Sequence, residues 1–102
     1  MDYTHKMIEI RKTAVFERWF STLRDRQVRA RVSIRIDRLA LGNPGDAKPV
    51  GSGVSELRID YGPGYRVYYV RRGSTLVVLL AGGDKRTQDR DIRTALELAG
   101  KL

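Results

Sequence analysis

The feature that most constrains the fold is a run of six apolar residues, Leu76-Val77-Val78-Leu79-Leu80-Ala81, closed by Gly82-Gly83. Successive side chains of a strand point to opposite faces of its sheet, so a strand without polar positions has to be covered on both. The run is far shorter than the roughly 18–20 apolar residues of a membrane-spanning helix. It therefore reads as a central strand, from Thr75 to Ala81, that the two glycines break. The chain has 102 residues, enough for a single domain spanning residues 1–102.

The other elements follow from periodicity. Met7-Ile8-Glu9-Ile10-Arg11 alternates apolar and polar residues, as a half-buried strand does. Thr13 is placed to cap a helix whose stripe is Val15, Phe16, Trp19, Phe20 and Leu23, and Asp25 to cap the next segment. Residues 26–41 fit two templates. Val28, Ala30, Val32, Ile34 and Ile36 alternate like a strand, while Val28, Val32, Ile36 and Leu39 form a helical stripe. The segment is long for a strand and carries no Gly or Pro, which predicts a helix.

Gly42 to Gly53 has the composition of a loop. Val54–Asp60 and Tyr65–Arg71 read as strands joined by the turn Tyr61-Gly62-Pro63-Gly64. Thr87 is placed to cap a last helix with the stripe Ile92, Ala95, Leu96 and Ala99. The expected architecture is α+β in the order β-α-α-β-β-β-α. It is a twisted, mainly antiparallel sheet with helices packed on one face and the other face left as a shallow concave surface.

Charge narrows the partners. Lys and Arg number 20 against 12 Asp and Glu, a net charge of +8, and only five of the bases are lysine. The excess is spread through the chain, so it belongs to a folded surface and not to a basic tail. Arginine's fixed fork suits bidentate phosphate contact. Nucleic acid, a ribosome or an acidic protein are the candidate partners, and a merely solvated basic surface is the plain alternative. There are no cysteines, which removes disulfides, thiolate nucleophiles and Cys-based zinc sites. The single histidine, His5, cannot build a metal site alone, so no metal and no cofactor are expected. Met1 to Lys6 lacks the apolar stretch of a signal peptide, and a cytoplasmic location without membrane attachment is expected. Residues 1–6 read as an upstream extension or a remnant of cloning.

Alternation puts Glu56, Arg58 and Asp60 on one face of their strand and Leu57 and Ile59 on the other. The turn brings Arg66 near Arg58. Two guanidiniums on an open face suit a scissile phosphate, and they equally suit cross-strand ion pairs with Glu56 and Asp60. Lys85 follows the apolar strand, placed to stabilise a phosphate or move a proton, or simply solvated beside Asp84 and Arg86. Tyr61 and Tyr65 flank the turn as candidate base-stacking rings. Tyr68 and Tyr69 point to opposite faces, so at least one is core. Lys48 lies in the glycine-rich segment, as an RNA contact or a solvated lysine.

Three stretches resemble toxins of the RelE/ParE superfamily, in particular the HigB-like addiction module killer group. They are Gly45-Asp46-Ala47-Lys48-Pro49-Val50-Gly51; Glu56-Leu57-Arg58-Ile59 with Gly62-Pro63-Gly64-Tyr65-Arg66-Val67-Tyr68-Tyr69; and Gly82-Gly83-Asp84-Lys85 with Thr87-Gln88. The resemblance covers nearly the whole chain from Met7 onward. It implies a RelE-like domain and a type II toxin that cuts messenger RNA on the ribosome without metal. Arg58, Arg66 and Lys85 would be catalytic, and Lys48, Tyr61, Tyr65 and Arg86 would contact RNA. It also implies a cognate antitoxin, often a helix-turn-helix protein. Several ribosome-dependent relatives carry a Tyr or His near the end of the last strand or beyond it. This chain has neither after Tyr69, so the general acid and base stay unassigned. A ParE-like gyrase inhibitor and an inactive homologue are the alternatives.

Overall fold

The computed structural model describes residues 8–102. The expectations for His5, for residues 1–6 and for Met7 as the opening of a strand lie outside the described residues. The chain runs β1 (Glu9–Lys12), α1 (Ala14–Thr22), α2 (Arg26–Ala40), β2 (Ala47–Gly51), β3 (Val54–Ile59), β4 (Tyr65–Arg72), β5 (Leu76–Asp84), a 3-10 turn (Lys85–Thr87) and α3 (Gln88–Gly100). One mixed sheet has the order β1-β5-β4-β3-β2, with β1 parallel to β5 and the other neighbours antiparallel.

The starts of α1 and α2 follow local chemistry, whereas Thr87 precedes α3 without capping it by its side chain, which donates to Asp91 instead. The Thr13 side chain accepts from the Phe16 amide, and Asp25 accepts from the Gln27 amide. The Thr13 hydroxyl also donates to the Leu80 carbonyl at 2.6 Å, which ties α1 to the sheet. Residues 26–40 form the helix that the stripe predicts. Val28, Val32 and Leu39 are buried and Ile34 faces solvent, so the strand-like alternation was partly a surface pattern.

Three expectations change. First, Gly42–Gly53 is not all loop. Ala47–Gly51 pairs with β3 as a short edge strand. Pro49 lacks an N–H and hides a strand in the sequence, yet an edge position tolerates it. Second, β5 continues through Gly82-Gly83 to Asp84. The glycines serve close packing. A Cβ on Gly82 would stand 2.1 Å from the Trp19 ring, and one on Gly83 would stand 1.9 Å from the Asp91 carboxyl. Third, the helices do not share one face. Phe16, Val28, Val32 and Leu39 of α1 and α2 pack with Leu57, Val67, Tyr69 and Leu79 on one side of the sheet. Ala95 and Ala99 of α3 pack with Val54, Tyr68, Val70 and Leu80 on the other. The apolar strand demanded this double cover, and Tyr68 and Tyr69 are consequently both core. At the far end of the α3 face, where the β3–β4 turn projects, the sheet is open.

Candidate functional site

The β3–β4 register sets Arg58 directly opposite Arg66, and the β4–β5 register sets Arg66 opposite Gly83. Lys85 leaves the end of β5 beside them. These elements enclose an open hollow of about 370 Å³ lined by Asp46, Arg58, Asp60, Gly64, Tyr65, Arg66 and Lys85, among others. Gly64, at φ 83°, lets the turn fold back over the Arg66 side chain.

Arg58 reaches the hollow from a partly exposed position. Its Nε and Nη2 donate to Asp46 Oδ1 at 3.3 and 3.1 Å. The Asp46 backbone is itself fixed, because Arg35 donates to the carbonyls of Pro44, Asp46 and Arg58. Arg66 differs. Its Nε lies 3.3 Å from Glu56 Oε1, with side-chain exposures of 12% and 2%. Its Nη1 donates to the Gly64 carbonyl at 3.1 Å. Glu56 Oε2 accepts from Gln88 Nε2 at 2.9 Å and from the Tyr68 hydroxyl at 3.2 Å. Burial, with Glu56 beside it, raises the Tyr68 phenol well above its ordinary value and keeps it protonated as a donor. Next to this cluster Thr87 donates to Asp91 at 2.5 Å.

The sequence-level candidates separate in space. Tyr65, which also packs against the α1/α2 core, lines the hollow with Arg58, Arg66 and Lys85. Tyr61 does not. Its ring packs with the α1/α2 core, its hydroxyl donates to Gln27, and the Arg31 guanidinium lies over one face at 4.2 Å. Lys48 sits exposed on edge strand β2, opposite Glu56 in register and outside the hollow. Arg86 faces an adjoining depression shared with Lys85, Arg90 and Arg93, and it forms an ion pair with Asp84 at 2.8 Å. The Arg86 guanidinium holds the Asp84 carboxyl below its usual value.

Sequence reasoning placed Glu56 as a possible surface partner and missed that α3 buries it. It did not single out Asp46 or Gln88 as parts of a site, and it weighed Tyr68 only as a lesser base-stacking candidate. The contiguous apolar residues Val67-Tyr68-Tyr69-Val70 were the available signal that both faces are covered there. Among the described residues, no group of three His, Cys, Asp or Glu is arranged to hold a metal ion, and no helix is long and apolar enough to cross a membrane.

These features define a class: a basic α+β domain with a five-stranded mixed sheet, a helix cover on each face and an arginine- and lysine-lined hollow at one end. The chain belongs to the family described as Phage derived protein Gp49-like (DUF891), whose model matches residues 18–101 and so includes every residue lining the hollow. It is similar to an uncharacterized protein of Haemophilus influenzae, 50% identical over 95 residues that make up 93% of this chain and 96% of that protein.

Proposed function

We propose that this protein is the toxin of a type II toxin–antitoxin pair, of the HigB-like branch of the RelE/ParE superfamily, and that it cleaves messenger RNA on the ribosome without a metal ion. The Gp49-like family is associated with toxin–antitoxin systems, which supports the general class. The observation that carries the nuclease reading is the meeting of Arg58, Arg66 and Lys85 in one solvent-facing hollow.

The reaction asks little of the protein. The ribose 2′-hydroxyl loses its proton and its oxygen bonds to the adjacent phosphorus. The bond from phosphorus to the 5′-oxygen breaks, and that oxygen takes up a proton. Two guanidiniums and an ammonium oppose the charge that builds on the phosphate oxygens, and the ribosome supplies substrate alignment. Arg58 exchanges Asp46 for the phosphate, Arg66 approaches from the floor, and Lys85 meets the phosphate or the leaving oxygen from the β5 end. Tyr65 packs partly against the core and leaves only the remainder of its ring for a flanking base. The +8 charge suits the ribosome and an acidic segment of an antitoxin.

The test is to induce the protein and map messenger 5′ ends. Codon-phased cuts within translated messages are expected. Intact messages with DNA breaks and an SOS response would instead mark a gyrase inhibitor, and tight induction without growth arrest would mark an inactive homologue.

A further inference from the structure

We propose that Glu56 is the positioning residue of the hollow: from beneath the sheet surface it fixes Arg66 by its Nε edge, and Gln88 of α3 holds Glu56 in that pose. The proposal rests on the nuclease reading for its kinetic arm only.

Glu56 is 1% exposed and does not line the hollow, so it cannot touch a substrate there. It is nevertheless a buried carboxyl beside Tyr68, a member of the apolar cluster with Val54 and Leu80. Its two oxygens divide the work. Oε2 takes the Gln88 amide and the Tyr68 hydroxyl, which lock the carboxyl plane. Oε1 faces Arg66 Nε at 3.3 Å. That nitrogen is out of solvent and makes no hydrogen bond among the described residues, while Glu56 Oε1 stands at ion-pair distance from it. The Glu56 charge is therefore what holds the Nε edge.

On the other side the Gly64 carbonyl takes Nη1, and Nη2 has no acceptor among the described residues. A long, rotamer-rich side chain is thus delivered to the hollow in one orientation, and orientation is what a phosphate-binding fork needs. A buried ion pair of this kind adds little net stability over well-packed apolar side chains of similar volume. Its consequence lies in where Arg66 points. Gln88 is the first residue of α3, so the seating of that helix reaches the hollow through one hydrogen bond.

The experiment compares wild type, Glu56→Gln and Gln88→Ala by NMR of the arginine Nε–H groups, with Arg66→Lys used for assignment. The same proteins are then assayed for messenger cleavage on purified translating ribosomes. In Glu56→Gln the Arg66 Nε–H should exchange with solvent at least about tenfold faster while the backbone amide pattern is retained, the mark of a local opening. Its kcat should fall on the order of a hundredfold with KM little changed, as expected for a misplaced group. Gln88→Ala should move both readouts in the same direction by less, and it serves in place of Glu56→Gln if that variant fails to fold.

Unchanged Nε–H exchange in a folded Glu56→Gln would overturn the positioning role, and so would released exchange with a wild-type rate. Wild-type values of both readouts in Gln88→Ala would overturn the link to α3. If wild type itself cuts no messenger, the nuclease reading fails, and the exchange data still decide whether Glu56 holds Arg66.

Discussion

Arg58 and Arg66 face each other across one rung of the β3–β4 ladder, yet they are held in opposite ways. Arg58 pairs at the surface with Asp46, side chains 41% and 55% exposed, on a loop that Arg35 ties down. Arg66 pairs beneath α3 with Glu56, almost out of water. The first pair is screened and exchangeable. The second is fixed by its surroundings. If the hollow takes a phosphate as proposed, it has one arm preset and the other free to trade its carboxylate.

The largest expected difference is in stability. Arg66→Ala strands a buried carboxyl and should cost about 3–5 kcal/mol, whereas Arg58→Ala removes a surface pair worth at most about 1 kcal/mol. Urea denaturation of the two variants checks this, and equal losses would break the comparison. Next, Gly83→Ala drives a methyl into Asp91 and displaces α3. It should cost about 1–3 kcal/mol through overpacking. It should also release the Arg66 Nε–H to solvent while leaving the Arg58 side undisturbed, as the same NMR experiment would report. Smaller still, Asp46→Asn removes a competitor for Arg58. RNA oligonucleotide affinity should rise no more than about fivefold, the scale of an exposed ion pair, in a fluorescence titration at fixed salt.

Proton linkage gives the weakest contrast and separates the buried cluster from the surface pair Asp84–Arg86. Tyr68 is raised above its ordinary 10.0, first by burial and then by Glu56. Its contribution is complete below pH 10.0 and is lost as pH rises through the higher folded value. Asp84 is lowered below 3.8, first by the Arg86 hydrogen bond. Its contribution is present above 3.8 and is lost as pH falls through the folded value, with a small amplitude because the partner is exposed. Urea midpoints followed across pH should therefore decline further on the alkaline side in wild type than in Tyr68→Phe.

Most of the element order was legible because it is written in periodicity and caps: Thr13, Asp25 and the stripes on α1, α2 and α3 all have local causes. What the sequence concealed depends on partners distant in the chain. Pro49 and the flanking glycines disguise β2, which exists because β3 offers it an edge. Gly82 and Gly83 look like a break until Trp19 and Asp91 are seen against them. The site was half legible. Arg58, Arg66 and Lys85 were singled out by the resemblance, since their pattern alone reads as cross-strand ion pairs and a solvated lysine. The burial of Glu56 did not stand out, since a polar residue alternating with apolar ones reads as facing water unless the helix on that side is known. Tyr61 misled for a similar reason. Its neighbours in the turn are exposed, but α2 supplies Arg31 and Gln27 to cover it.

The most direct measurement uses purified protein on translating ribosomes programmed with one defined message. Arg58→Ala and Lys85→Ala are the variants of choice, because both side chains are surface groups whose loss should leave folding intact. Wild type should cut the message within its translated codons, each variant should cut far more slowly, and the double variant should leave it whole. A double variant that folds and cuts at the wild-type rate would contradict the assignment of chemistry to this hollow.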